Sequence, residues 1–208
     1  MRRGKYEAVR KEFPSGNTAE EISFSQNVMM YLHDMVYLIL IVMCILIFFL
    51  RIVVVAGSSM NDTLVDGDYL LLLSNTLYRN PEQGDIVVAS KDSFRSGEPI
   101  IKRIIALEGQ TVDIDFETGN VYVDGELLSE PYLGSPTKTP EGVSFPLTVD
   151  EGCLFVMGDN RMGSTDSRSP SIGQIDKREI LGRAIFLIIP GNEEGDIDRD
   201  FTRIGGLA

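Results

Sequence analysis

The residues able to start a covalent reaction are few in this 208-residue chain. It contains one His, at position 33, and two Cys, at 44 and 153. His33 precedes a long apolar run and Cys153 follows it. If that run crosses a membrane, neither a Ser-His-Asp triad nor a Cys-His pair can form in the part beyond it. Lysine is the known substitute for histidine as the base of a serine hydrolase. Four lysines follow the run: Lys91, Lys102, Lys138 and Lys177.

A lysine base must be neutral. That means moving its titration from about 10.4 to about 7–8, a cost of roughly 3–4 kcal/mol that burial can supply. Lys91, Lys138 and Lys177 lie in polar, turn-like stretches and are expected to stay solvated and charged. Lys102 lies in Ile100-Ile101-Lys102-Arg103-Ile104-Ile105, where strand alternation sets it between Ile100 and Ile104. The competing reading is a strand-edge lysine with a wet head group. The serine candidates are Ser58 and Ser59, which follow Val53-Val54-Val55-Ala56-Gly57. A glycine after a β-branched run suits a strand entering a tight turn, where a hydroxyl projects and backbone N–H groups converge. A third segment, Met157 to Arg168, interleaves Asp, Asn, Arg and Ser just after an apolar strand, a composition suited to a self-satisfying polar network.

The elements that must position these residues begin with the apolar run. Met35–Leu50 carries no charge, and after Arg51 the run continues through Val55. Crossing a bilayer takes about 20 apolar residues, so the span is read as residues 35–55 with Arg51 snorkelling. A core helix would show a polar stripe, which is missing. A secretory signal would have a shorter leader than the 34 residues here. Those 34 residues hold five basic side chains (Arg2, Arg3, Lys5, Arg10, Lys11), which predicts a cytoplasmic N-terminus. Thr18-Ala19-Glu20-Glu21 fits a helix capping box. The expected order is a cytoplasmic segment at 1–34, a transmembrane helix at 35–55, an extracytoplasmic β domain at 56–190 and an acidic tail at 191–208, of which residues 191–200 are expected to fray.

Beyond the run, short apolar stretches alternate with turn signals: Tyr69–Leu73, Ile86–Ala89, Ile100–Leu107, Thr111–Asp115, Val121–Val123, Phe145–Val149, Cys153–Met157 and Ile180–Ile189. This spacing predicts a mostly β, antiparallel sheet or partly open barrel. Residues 112–125 read as two successive hairpins. The formal net charge of −12 argues against a nucleic-acid partner, and a single His argues against a metal site built on several imidazoles. No cofactor and no metal are expected. Cys44 and Cys153 are too far apart to pair.

Taken in order, three segments resemble the bacterial type I signal peptidases, membrane-anchored Ser/Lys endopeptidases of peptidase family S26. They are Gly57-Ser58-Ser59-Met60 with Thr63-Leu64 and Gly67-Asp68; Lys102 to Leu107 with Gly109; and Gly158-Asp159-Asn160-Arg161 with Ser164, Asp166-Ser167-Arg168 and Gly173. The resemblance implies that Ser59 is the nucleophile, Lys102 its general base and Ser164 the hydroxyl that orients the amine. It implies an oxyanion turn of Gly57, Ser58 and Ser59, with the Ser59 N–H as a donor. Asp159, Asn160, Arg161, Asp166 and Arg168 become structural supports. An extended substrate would lie between Val54, Val55, Ala56 and Pro99, Ile100, Ile101, held by main-chain pairing with shallow apolar pockets for small residues.

The implied function is removal of N-terminal signal peptides from exported preproteins after an Ala-x-Ala type sequence. The partners are those preproteins and the lipid bilayer. Anchoring enzyme and substrate to one surface raises their effective concentration. Asp62 stands where the family usually has Pro, which removes a fixed φ and adds a carboxylate near the nucleophile. That departure leaves open an enzyme specialised for one cargo class, such as pilins. A non-catalytic assembly factor on the same fold is the remaining alternative, and it would not need both the serine and the lysine.

Overall fold

The computed structural model describes residues 24–61, 63–91, 94–192 and 199–207. The capping-box residues 18–21 and Asp62 lie outside them. The chain divides into two compact units, residues 1–41 and 42–208. The described part of the first belongs to a single helix, α1, Phe24–Phe48. Its stretch Asn27–Phe48 is long and apolar enough to cross a membrane, with mean hydropathy 2.3 over its best window. Its large side chains are exposed on all sides, as expected of a helix whose surroundings are apolar.

The helix is not placed where the apolar run predicts. It begins before residue 35 and stops at Phe48, and β1, Leu50–Val54, follows as a strand. Arg51 is therefore a strand residue opposite Leu72, not the snorkelling end of a membrane helix. Hydrophobicity cannot separate the end of an apolar helix from an apolar strand that follows without a break; the β-branched Ile52-Val53-Val54 is the local cue.

The remaining strands are β2 Tyr69–Ser74, β3 Ile86–Ala89, β4 Ile100–Leu107 and β5 Thr111–Asp115. Then come β6 Asn120–Val123, β7 Glu126–Leu127, β8 Leu147–Thr148 and β9 Cys153–Met157. The last are β10 Ile175–Asp176, β11 Ile180–Ile189 and β12 Gly205–Gly206. Among the described residues every pairing is antiparallel. The larger sheet runs β1-β2-β11-β3-β4-β9-β10 with β12 added to β11, and the smaller runs β7-β6-β5-β8. The expected mostly β antiparallel class holds, and the two hairpins read from residues 112–125 are β5–β6 and β6–β7.

Register irregularities in β4 and β11 bend the larger sheet, because a bulge sharpens local twist. Among the described residues, three apolar cores result. One packs Val55, Met60 and Leu64 with Leu70, Leu72, Ile86 and Val88, which fixes the chain on both sides of Ser59. A second joins Ile104, Val156 and Ile180. The third lies between the sheets, with Ile105, Phe155 and Met157 from one and Val112, Ile114 and Val121 from the other. β4 contributes to all three, so both of its faces are covered and its polar residues are held rigidly.

Of the stretch 191–200 expected to fray, residues 193–198 lie outside the described residues, and the chain beyond it is ordered. Residues 199–207 form a short 3₁₀ turn and then β12, paired with β11 through Phe186–Gly206 and Leu187–Gly205. Leu207 packs on the core around Met60. Acidic composition hides this, since one apolar side chain and two glycines that pair through their backbones suffice.

Candidate active site

Lys102 sits on β4 with 4% of its surface exposed. Its Nζ donates to Ser59 Oγ at 2.8 Å and to the Ile101 carbonyl at 2.9 Å. Of the four candidate lysines, this is the one that meets a candidate serine. Lys91 was expected to be solvated but donates to the carbonyls of Ile172 and Gln174 at 2.6 and 2.7 Å, because the loop bearing them folds over it. Lys177 pairs with Glu108, and Lys138 is exposed.

Ser59 is placed by a short turn after β1. Gly57 takes φ +88°, a conformation costly for any residue with a Cβ, and its N–H donates to Asp66 Oδ1 at 2.7 Å. That bond ties the Gly57 amide into the turn that presents Ser59. Ser58 is exposed, Ser59 half-buried and Met60 fully buried as the anchor. Asn160 holds the turn from the other side: its N–H donates to the Ser59 carbonyl at 3.1 Å and its Nδ2 to the Ser58 carbonyl at 3.0 Å.

Ser164 is buried beside this turn. Its hydroxyl has no hydrogen-bond partner among the described residues, so the expected bond to Lys102 is not formed here. The amine instead donates to Ser59 and to the neighbouring carbonyl in its own strand. Gly158 is the reason these groups can approach. A Cβ there would lie 2.2 Å from Ser164 Oγ and 2.4 Å from the Ser59 carbonyl oxygen.

Arg103, next to Lys102, faces away from it by strand alternation. It meets Asp159 through a fork, with Nε–Oδ1 at 3.0 Å and Nη2–Oδ2 at 2.8 Å, and its guanidinium lies 4.0 Å from the Tyr132 ring centre. Thr63 Oγ1 donates to Asp159 Oδ2 at 2.6 Å, so β4 and the nucleophile loop share one buried carboxylate. Arg168 is fully buried between Asp166, at 2.8 Å, and Glu141, at 2.9 Å. Asp166 also accepts from the Gly158 N–H at 2.9 Å. Arg161 reaches the Gly158 carbonyl at 3.0 Å and pairs with Glu130 and Thr137. Burial, followed by the nearby Asp166 charge, holds the Glu141 carboxyl above its ordinary range.

Sequence reasoning missed Glu130, Thr137 and Glu141, the partners of these arginines. The signal available was stoichiometric: three arginines in polar-apolar surroundings require acceptors, and the acids within the Met157–Arg168 segment do not supply them all.

The expected substrate segments face one another. A cleft of about 510 Å³ is lined by Val53–Met60 on one side and Glu98–Lys102 on the other, with Val88, Phe94, Gly163 and Thr165 completing it. β1 is an edge strand, and β4 pairs with β9 only from Arg103 onward. Two strand edges therefore border the cleft, an arrangement able to take an extended peptide by main-chain pairing.

Residues 28–189 match the family described as signal peptidase, peptidase S26. Over 147 residues the chain is 40% identical to signal peptidase I of Bacillus licheniformis, covering 67% of this chain and 76% of that one. It is 30% identical over 184 residues to signal peptidase I S of Bacillus subtilis (strain 168), covering 84% and 96%. The crystal structure of a signal peptidase I from Enterococcus faecalis V583 aligns with a TM-score of 0.42 at 32% identity, over 50% of this chain and 97% of that one.

Proposed function

Because this chain belongs to the signal peptidase family, peptidase S26, we propose that Ser59 and Lys102 together perform the peptide-bond hydrolysis by which it cleaves signal peptides from preproteins. The enzyme is a membrane-associated serine peptidase with preproteins as substrates. The observation that carries the assignment of the dyad is the 2.8 Å separation of Lys102 Nζ and Ser59 Oγ, with Lys102 buried.

The steps follow from that contact. With the amine neutral, the hydrogen bond reverses and the Ser59 hydroxyl donates to Nζ. As Oγ attacks the scissile carbonyl carbon, its proton passes to Nζ, and negative charge builds on the carbonyl oxygen. The Ser59 N–H stabilises that charge. The ammonium then protonates the leaving amine as the C–N bond breaks, and the lysine is neutral again. A water molecule then attacks the acyl carbon as it gives its proton to Nζ; the C–Oγ bond breaks, the ammonium returns that proton to Ser59 Oγ, and the acyl product leaves as a carboxylic acid. Ser164 is the reserve orienting group: a buried hydroxyl without a partner has hydrogen-bonding capacity to offer when the amine moves during turnover.

Substrate lies extended in the cleft between Val54–Ala56 and Pro99–Ile101, and small residues suit the shallow space beside Ser59. The membrane span is Asn27–Phe48, with the preceding basic segment on the cytoplasmic side and the catalytic residues on the other. Incubation of the full chain in detergent with a preprotein, with mass analysis of the products, tests this. Cleavage after an Ala-x-Ala sequence is expected, with Ser59→Ala and Lys102→Ala folded and inactive. Near-normal turnover by either variant overturns the dyad.

A further inference from the structure

We propose that Arg203 is a positioning residue for the nucleophile, acting through Asp68 and the Thr63 carbonyl on the loop that carries Ser59. The proposal rests on the reading of Ser59 as nucleophile, and it adds a residue that lies beyond the family match at 28–189. The loop leaves β1 and returns at β2. It is closed at its base by Val55 N–H to the Asp68 carbonyl at 2.8 Å and by Gly67 N–H to the Val55 carbonyl at 3.0 Å. The Asp68 carboxylate is fully buried and accepts from the Val65 N–H at 2.9 Å and the Gly191 N–H at 2.6 Å. Those donors are neutral. The charge partner is Arg203, whose fork meets both oxygens, Nη1–Oδ1 at 3.0 Å and Nη2–Oδ2 at 2.7 Å. Nη2 also donates to the Thr63 carbonyl at 3.3 Å.

The same loop is held at two further points that flank Ser59, Gly57 through Asp66 and Thr63 through Asp159. A shift of Asp68 or Thr63 is therefore passed to the turn that fixes Oγ. Arg203 is itself held firmly. Asp200 caps its 3₁₀ turn by accepting from the Thr202 N–H at 2.9 Å, and the Leu207 N–H donates to the Ile185 carbonyl at 3.0 Å. At the crossing point, a Cβ on Gly191 would come within 2.1 Å of the Asp66 carbonyl oxygen, so the chain after β11 is pressed directly against the loop. Removing the charge partner of the buried Asp68 carboxylate leaves that carboxylate uncompensated, and the loop must open to hydrate it.

The test is steady-state cleavage of a preprotein by the full chain in detergent, comparing the parent with Arg203→Ala and Arg203→Lys, and with Ser59→Ala as control. Arg203→Ala is expected to lower kcat by about 10- to 100-fold with KM within about twofold, the scale of a displaced reacting group. The midpoint of the pH–rate profile stays where it is, because Lys102 is untouched. Arg203→Lys keeps the charge on Asp68 but cannot also hold Thr63, and is expected to lose about three- to tenfold in kcat. Parental kcat in Arg203→Ala, a KM effect alone, or a loss that merely follows the unfolded fraction by circular dichroism overturns the proposal. If Arg203→Ala does not fold, the Lys variant decides, and parental kcat there overturns it equally. Turnover by Ser59→Ala would instead overturn the nucleophile assignment.

Discussion

Adding one methyl group at position 158 gives the most direct test of how the site is packed. The Cβ of Gly158→Ala would lie 2.4 Å from the Ser59 carbonyl oxygen, 2.2 Å from Ser164 Oγ and 2.4 Å from Ser164 Cβ, where ordinary contact begins at 3.4 Å. Ser164 can turn its hydroxyl aside but not its Cβ. The Ser59 carbonyl cannot rotate freely, since the Asn160 N–H holds it at 3.1 Å. Relief therefore requires the nucleophile turn to retreat by about 1 Å, a displacement that costs on the order of 100-fold in rate. Overpacking of this kind costs about 1–3 kcal/mol in stability. At about 2–4 °C per kcal/mol for a domain of this size, Tm falls by roughly 2–12 °C.

The assay pairs kcat on a preprotein with thermal unfolding followed by circular dichroism. The double variant Gly158→Ala/Ser164→Gly removes the side-chain overlaps but keeps the carbonyl overlap. Compared with Gly158→Ala, and with Ser164→Gly alone as the reference for losing that side chain, it is expected to recover part of the Tm and little of the kcat. Parental kcat and Tm in Gly158→Ala would refute the reasoning. Full recovery of kcat in the double variant would show that the Ser59 carbonyl is not the critical contact.

Two further outcomes follow from the buried polar groups. Arg168→Met strands Asp166 and Glu141 without their shared cation and is expected to lower stability by about 3–5 kcal/mol in urea unfolding; an unchanged midpoint and slope would contradict it. Alkaline titration probes the buried phenols. Tyr78 is pushed up by burial and by its hydrogen bond to Asp85, and Tyr132 by burial and the Glu130 charge. Both stay protonated in the folded state at a pH where the unfolded chain ionises. Their stabilising contribution is therefore complete below about pH 10 and declines as pH rises above it. Phenolate absorbance should show both phenols silent until unfolding, with stability falling through that window. Ionisation of all seven tyrosines in the folded protein would contradict it.

The sequence by itself determined the chemistry available and the class of fold. A single His at the apolar run turned the search for a base to lysine, and a lysine alternating with isoleucines in a strand can be buried while keeping its amine for a serine. Turn residues at short intervals made the antiparallel strands legible because period-two patterning and Gly-Asp turns are local properties. What tertiary structure alone decided were the long-range pairings. These include the end of the helix at Phe48, the Arg168–Glu141 and Arg161–Glu130 ion pairs, and the approach of Gly158 to Ser59. The return of Arg203 to Asp68, 135 residues earlier, belongs with them. A charge shows in sequence, but its partner does not, because burial makes a pair matter and burial is set by how distant strands meet.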